Sequence, residues 1–217
     1  MGELYLPWVI KGFETLRLGT RDVFGTRDTR PVRLRCLPTF AQVWLLQQLP
    51  DFQKRYPEVT MQLHMGTWAS AIQSNQLDIE IRFGNGEWPG QHATLLGRHP
   101  VVPVCHPDLR PTGGTLDALR DSPLIEIIGV ADNWHQFFRQ ENLSPPAHPP
   151  ALSVDQSIAA LELAARGMGH ALVSEGFAAP YLHDGRLVRS LHLEKHTDQA
   201  IYVTRPEGPV SYGCQVF

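Results

Sequence analysis

Two strand-to-helix passages carry the side chains best placed for chemistry. Thr39 follows Val32-Arg33-Leu34-Arg35-Cys36-Leu37-Pro38 and opens the apolar stretch Phe40 to Tyr56. Gln156 and Ser157 follow Ala151-Leu152-Ser153-Val154-Asp155 and open the stretch Ile158 to Arg166. At such a passage the first-turn N–H groups of the helix have no carbonyl partners, and the helix dipole favours negative charge. In open α/β sheets, ligands sit beside the carboxyl ends of the strands. Two such ends far apart in sequence predict two lobes facing across a cleft, with a small molecule held there and left chemically intact. Thr39 is also a good N-cap, which would engage its hydroxyl with its own helix, and Ser157 has the same alternative.

Reactive constellations are hard to assemble elsewhere. Gly84-x-Gly86 after a strand superficially matches a dinucleotide fingerprint, but the next glycine is Gly90 and Pro89 stands where a helix should begin. Ser174-x-Gly176 follows Leu172-Val173, so it does not complete a nucleophile elbow. His192 and His196 have a helical metal-ligand spacing without helical surroundings or a third ligand in pattern, so no metal and no cofactor is expected. Asp78 and Glu80 alternate with Leu77, Ile79 and Ile81 and are expected to form the solvent side of one strand. No nucleophile, base and orienting group converge, and the chain does not read as an enzyme.

Composition sets the outer limits. A chain of 217 residues with 42% hydrophobic and 19% charged residues can build one large or two small domains with full cores. Net charge −3 argues against a free-standing nucleic-acid binder. No apolar run reaches membrane-spanning length, and Met1-Gly2-Glu3 lacks the basic start of a signal peptide. Three unspaced cysteines, Cys36, Cys105 and Cys214, fit buried thiols in a reducing cytoplasm.

The elements that must position these residues follow from periodicity. Leu6, Val9, Ile10, Phe13 and Leu16 mark an amphipathic helix over 4–18, whose apolar stripe must cover its own domain or a partner chain. Phe40, Val43, Trp44, Leu46, Leu49 and Phe52 predict a helix ending at Pro57, kinked or divided by Pro50. Val59, Met61, Leu63 and Met65 alternate as a strand, completing a βαβ unit. A short helix around 68–76, a strand over 77–83, and the breaker-rich loop Gly84 to Gly90 come next. Later strands are expected at 101–105, 124–128, 151–154, 170–173 and 200–204, with a helix over 134–142 and a glycine cap at Gly167-Met168-Gly169. The last strand is expected to return to the first lobe.

Taken in order, several motifs resemble one family. Thr39-Phe40-Ala41 through Trp44-Leu45-Leu46, then Leu49-Pro50-Asp51-Phe52 and Tyr56-Pro57-Glu58-Val59, is similar to the opening of the effector-binding domain of LysR-type transcriptional regulators. Asp78 through Ile81-Arg82-Phe83-Gly84-Asn85-Gly86-Glu87-Trp88-Pro89-Gly90 resembles the subgroup containing the glycine-cleavage activator and the β-lactamase regulator. Pro103-Val104-Cys105-His106-Pro107, Ala164 to Leu172 (with His170 in place of a usual valine) and Gly185-Arg186-Leu187-Val188-Arg189 extend the likeness, which runs in register over 3–206.

The resemblance implies an α/β fold of two Rossmann-like subdomains, of type II periplasmic-binding-protein architecture, joined by crossover strands. It assigns 1–31 to a linker helix and connector, 32–102 with 199–217 to subdomain I, and 103–198 to subdomain II. It also implies a homodimer or homotetramer through the linker helix. The family's winged helix-turn-helix and most of its last helix have no counterpart here, so DNA binding is expected only of a longer parent protein.

A small effector, anionic or amino-acid- or peptide-like, is then expected to meet Thr39 and the Phe40 N–H on one lobe and Gln156 and Ser157 on the other. Further contacts are expected from Thr67, Trp68, Gly84, Trp88, Asp132, Trp134, Ser174 and Tyr202. Trp88 and Trp134 serve equally well as packing residues. A stand-alone solute-binding protein and an enzyme share the architecture, so the fold by itself does not choose between them.

Overall fold

In a computed structural model the described residues are 8, 9, 11–13, 15, 16, 19, 20, 30–66, 77–130, 133–144, 146, 148–208 and 210–217. The helix expected around 68–76, together with Thr67, Trp68 and Asp132, lies outside them. Two five-stranded mixed sheets divide the chain.

The first sheet holds β1 (Val32–Cys36), β2 (Met61–Met65), β3 (Ile79–Gly84), β4 (Gln91–Gly97) and β10 (Ala200–Pro206), in the order β2-β1-β3-β10-β4. β1 is parallel to β2 and β3, and β10 returns antiparallel between β3 and β4. One continuous helix, α1, crosses from β1 to β2 as Pro38–Phe40, Ala41–Leu45 and Leu46–Arg55. Its irregularity is a π-helical turn at Ala41–Leu45, one turn before Pro50, and the helix continues through the proline. Phe40, Ala41 and Leu45 pack on Val32, Leu34, Ile79 and Ile81 of the sheet.

The second sheet holds β5 (Val101–Cys105), β6 (Leu124–Ile127), β7 (Leu152–Val154), β8 (His170–Ser174) and β9 (Val188–Arg189), in the order β7-β6-β8-β5-β9. The helices of this lobe are α2 (Leu116–Arg120), α3 (Trp134–Gln140), α4 (Ser157–Ala165) and α5 (Glu175–His183). Every residue of β5 and β8 is buried because helices cover both faces, which explains their unbroken apolar runs. α4 and α5 pack on one side with Val102, Val104, Ile125 and Val173; α3 closes the other with Phe137 and Phe138 against Val101, Leu124 and Leu172. A last helix, α6 (Tyr212–Val216), sets Gly213 against Val32, where a Cβ would come within 2.4 Å of the valine methyl.

Two crossings join the lobes, β4 to β5 and β9 to β10, and they are tied together. Val101 and Lys195 exchange both backbone hydrogen bonds at 2.8 Å.

The strand over 77–83 departs from its expected solvent-facing side. Glu80 is 4% exposed and paired with both Arg35 and Arg82; Asp78 accepts the Arg33 N–H at 2.9 Å and pairs with Arg30 at 3.2 Å. Alternation marks two faces of a strand, but it does not say whether the polar face meets water or two arginines.

Candidate ligand-binding cleft

A cavity of about 600 Å³ opens between the lobes at the carboxyl ends of β1, β3, β6 and β8. The first lobe contributes Leu37, Thr39 and Phe83. Ile127-Ile128-Gly129-Val130 after β6, Asp155-Gln156-Ser157 between β7 and α4, and Leu172-Val173-Ser174 of β8 form the opposite wall. Val101, Phe177 and Gln199 complete the lining near the crossings. Apolar surface dominates, with a few polar groups converging on it, which is the usual make-up of a small-molecule site.

The two strand-to-helix passages do face each other. Leu37 is the N-cap of α1 and Pro38 its first helical residue, so Thr39 sits one turn-position inside rather than at the cap. Its buried hydroxyl does not bond its own helix. It accepts the backbone N–H of Ile158, in the first turn of α4 on the other lobe, at 3.0 Å. The first backbone bond of α1 is Ala41 N–H to the Leu37 carbonyl, which leaves the N–H groups of Thr39 and Phe40 without an intrahelical acceptor. The Phe40 side chain is core.

Gln156 is the N-cap of α4 without a side-chain cap bond, and its carbonyl accepts the N–H groups of Ala159 at 3.1 Å and Ala160 at 3.2 Å. Gln156 and Ser157 both line the cavity. Ser174, only 9% exposed, ends β8 as the N-cap of α5, yet its hydroxyl makes no cap bond and has no partner among the described residues. A buried hydroxyl without a partner in a cavity wall is a group poised to bond whatever fills the cavity.

The remaining sequence candidates among the described residues, Trp134, Gly84, Trp88 and Tyr202, lie apart from this lining. Trp134 is enclosed in the second lobe, 2% exposed, with its indole N–H donated to the Ile125 carbonyl at 2.9 Å and its ring stacked on Phe138. Gly84, Trp88 and Tyr202 pack on one another at the first sheet. The Trp88 and Tyr202 rings meet edge-on at 5.5 Å, Arg82 lies 5.5 Å over the indole, and the Tyr202 hydroxyl reaches the Asn85 carbonyl at 3.4 Å. Glycine is needed in that loop because a Cβ at Gly84 would come 2.9 Å from the indole, and one at Gly86 (φ +93) 2.8 Å from the Tyr202 ring. Residues the sequence did not single out include Phe83, Ile127 to Val130, Phe177 and Gln199. Their one available signal is position: each follows or ends a strand, or flanks a crossing.

Comparison with known proteins agrees with this geometry. The LysR substrate binding domain matches residues 25–217. The HTH-type transcriptional activator AmpR of Rhodobacter capsulatus is 29% identical over 189 residues, covering 87% of this chain and 64% of its own length. AmpR of Pseudomonas aeruginosa is 31% identical over 200 residues, covering 90% and 66%. The solved effector domain of the Pseudomonas aeruginosa AmpR superposes with a TM-score of 0.74 at 28% identity, covering 87% of this chain and 92% of that one. This chain therefore spans about two thirds of the length of the curated relatives it matches. With its two-lobed fold and its sequence both matched, the chain belongs to the LysR substrate-binding domain family and is an effector-sensing regulatory domain of a LysR-type regulator.

Proposed function

We propose that the effector binds in the inter-lobe cavity, bonded by Thr39, Ser157 and Ser174 and by the free N–H groups at the start of α1. The observation that carries this is Ser174: a nearly buried hydroxyl, unpartnered among the described residues, in the wall of a cavity that both lobes build. Ligand affinity that differs between open and closed arrangements shifts their populations, and only that difference does work. In the longer regulator the shift would pass to oligomer geometry and to the grip on DNA, as the regulators it resembles suggest.

Self-association through the N-terminal helical segment is part of this reading. Trp8, Phe13 and Leu16 are helical and 70%, 70% and 68% exposed, so a partner chain offers their apolar surface a place to bury. No described helix is long and apolar enough to cross a membrane, and a cytoplasmic location is proposed with the family.

The test is native mass spectrometry of the purified chain to find a co-purified molecule, followed by titration of that molecule. The pair Thr39→Val with Ser157→Ala is expected to weaken binding at least tenfold, about 1.4 kcal/mol, with the fold kept and the melting temperature lowered by about 2–4 °C through loss of the Ile158–Thr39 bond. Unchanged affinity would move the site elsewhere.

A further inference from the structure

We infer that the ligand of this cleft carries a compact cation, of primary-ammonium type, on an apolar body, with Asp155 receiving the cation; this rests on the cleft being the effector site. Asp155 is the one charged side chain in the described lining, and no Lys, Arg or His contributes to it. Its carboxylate is exposed and has no ion-pair or hydrogen-bond partner among the described residues.

The backbone donors that would otherwise favour an anion at this wall are largely taken. Ile158 N–H bonds Thr39, and the N–H groups of Ala159 and Ala160 bond the Gln156 carbonyl, which leaves Ser157 N–H alone in the first turn of α4. On this second-lobe wall a dianion or phosphate would therefore meet a like charge, no cationic side chain among the described lining and one free first-turn N–H, so the α1 N–H groups of the other lobe would face it without a counter-ion. Leu37, Phe83, Ile127, Leu172 and Phe177 offer the apolar body a surface, and the buried Ser174 hydroxyl gives it one polar contact. A single exposed carboxylate in the lining of a largely apolar cavity selects for one positive charge on a hydrocarbon body.

The experiment uses three probes of one skeleton, phenylpropylamine, phenylpropanol and phenylpropanoate, titrated into the full chain at low salt. Phenylpropylamine is expected to bind about fivefold more tightly than the alcohol, the size of a half-exposed ion pair, with the carboxylate weakest. Asp155→Asn is expected to bring the amine to within about twofold of the alcohol, and because Asp155 is exposed the variant should melt like the parent. Phenylpropanoate binding as tightly as the amine overturns the inference, as does an amine preference that survives Asp155→Asn or an amine that fails to bind at millimolar concentration. Amine binding undiminished in Ser157→Trp, which fills the cavity, would instead place the contact outside the cleft and count against the site itself.

Discussion

A histidine sealed in the second lobe ties the stability of this protein to pH. His170 is 1% exposed, at the start of β8, with Nδ1 2.8 Å from the Ser190 hydroxyl. Burial pushes its pKa down from 6.5 to about 4, so the imidazole is neutral in the fold. As pH falls below 6.5 the unfolded chain takes up the proton first, and stability is lost progressively down to about pH 4. The full loss is about 3 kcal/mol. His170→Val should flatten the fall in melting temperature over that interval while leaving the neutral-pH cleft unaltered; an unchanged slope would assign the acid sensitivity to other groups. Ser174 carries the opposite lesson at the same scale. Its spacing from Gly176 suggests an incomplete catalytic motif, and its value lies instead in being a hydroxyl left open to a cavity.

Among the elements, those with strong periodicity were legible and those that depend on neighbours were not. β1 and β2 follow from alternation, β5 and β8 from short apolar runs buried on both faces, and the core of α1 from helical spacing. β4 has no such mark. Its residues are mostly exposed, it pairs only with β10, and Leu96 is an extra residue opposite Ile201 and Tyr202, so a bulge breaks the alternation. α5 is likewise hidden, since it is apolar nearly all round and carries Pro180 within. The N-terminal helical segment is legible for the reason that makes it informative: an apolar stripe with nothing of its own lobe over Trp8, Phe13 and Leu16. Phe13→Glu with Leu16→Glu is expected to shift the chain toward monomer in light scattering after size exclusion, with the thermal transition of the two lobes retained. An unchanged mass would remove this segment from self-association.

For the whole molecule, the bond from Ile158 N–H to the Thr39 hydroxyl reaches from one lobe to the other beside the cavity that Thr39 lines. It holds the two helix starts together, and the Thr39 hydroxyl, an acceptor in this bond, keeps its own O–H to donate to an effector. A neutral hydrogen bond of this kind contributes about 1 kcal/mol, enough to shift an open–closed balance about fivefold. Thr39→Val should raise the ligand-free radius of gyration in small-angle scattering, and Thr39→Ser should keep it close to that of the parent. Equal scattering from both variants would mean that the tied crossings alone set the closure.

By itself the sequence determined the α/β class, the family, and the two hydroxyl-bearing passages as the place to look, because periodicity and motif order are local properties of the chain. Only the tertiary structure decided that Thr39 bonds the opposite lobe, that Trp134 is core, that Glu80 lies between two arginines and that Asp155 stands alone in the lining. The reason is physical. Burial and hydrogen-bond partnership are set by residues distant in the chain, and a side chain's own neighbours in sequence carry no record of them.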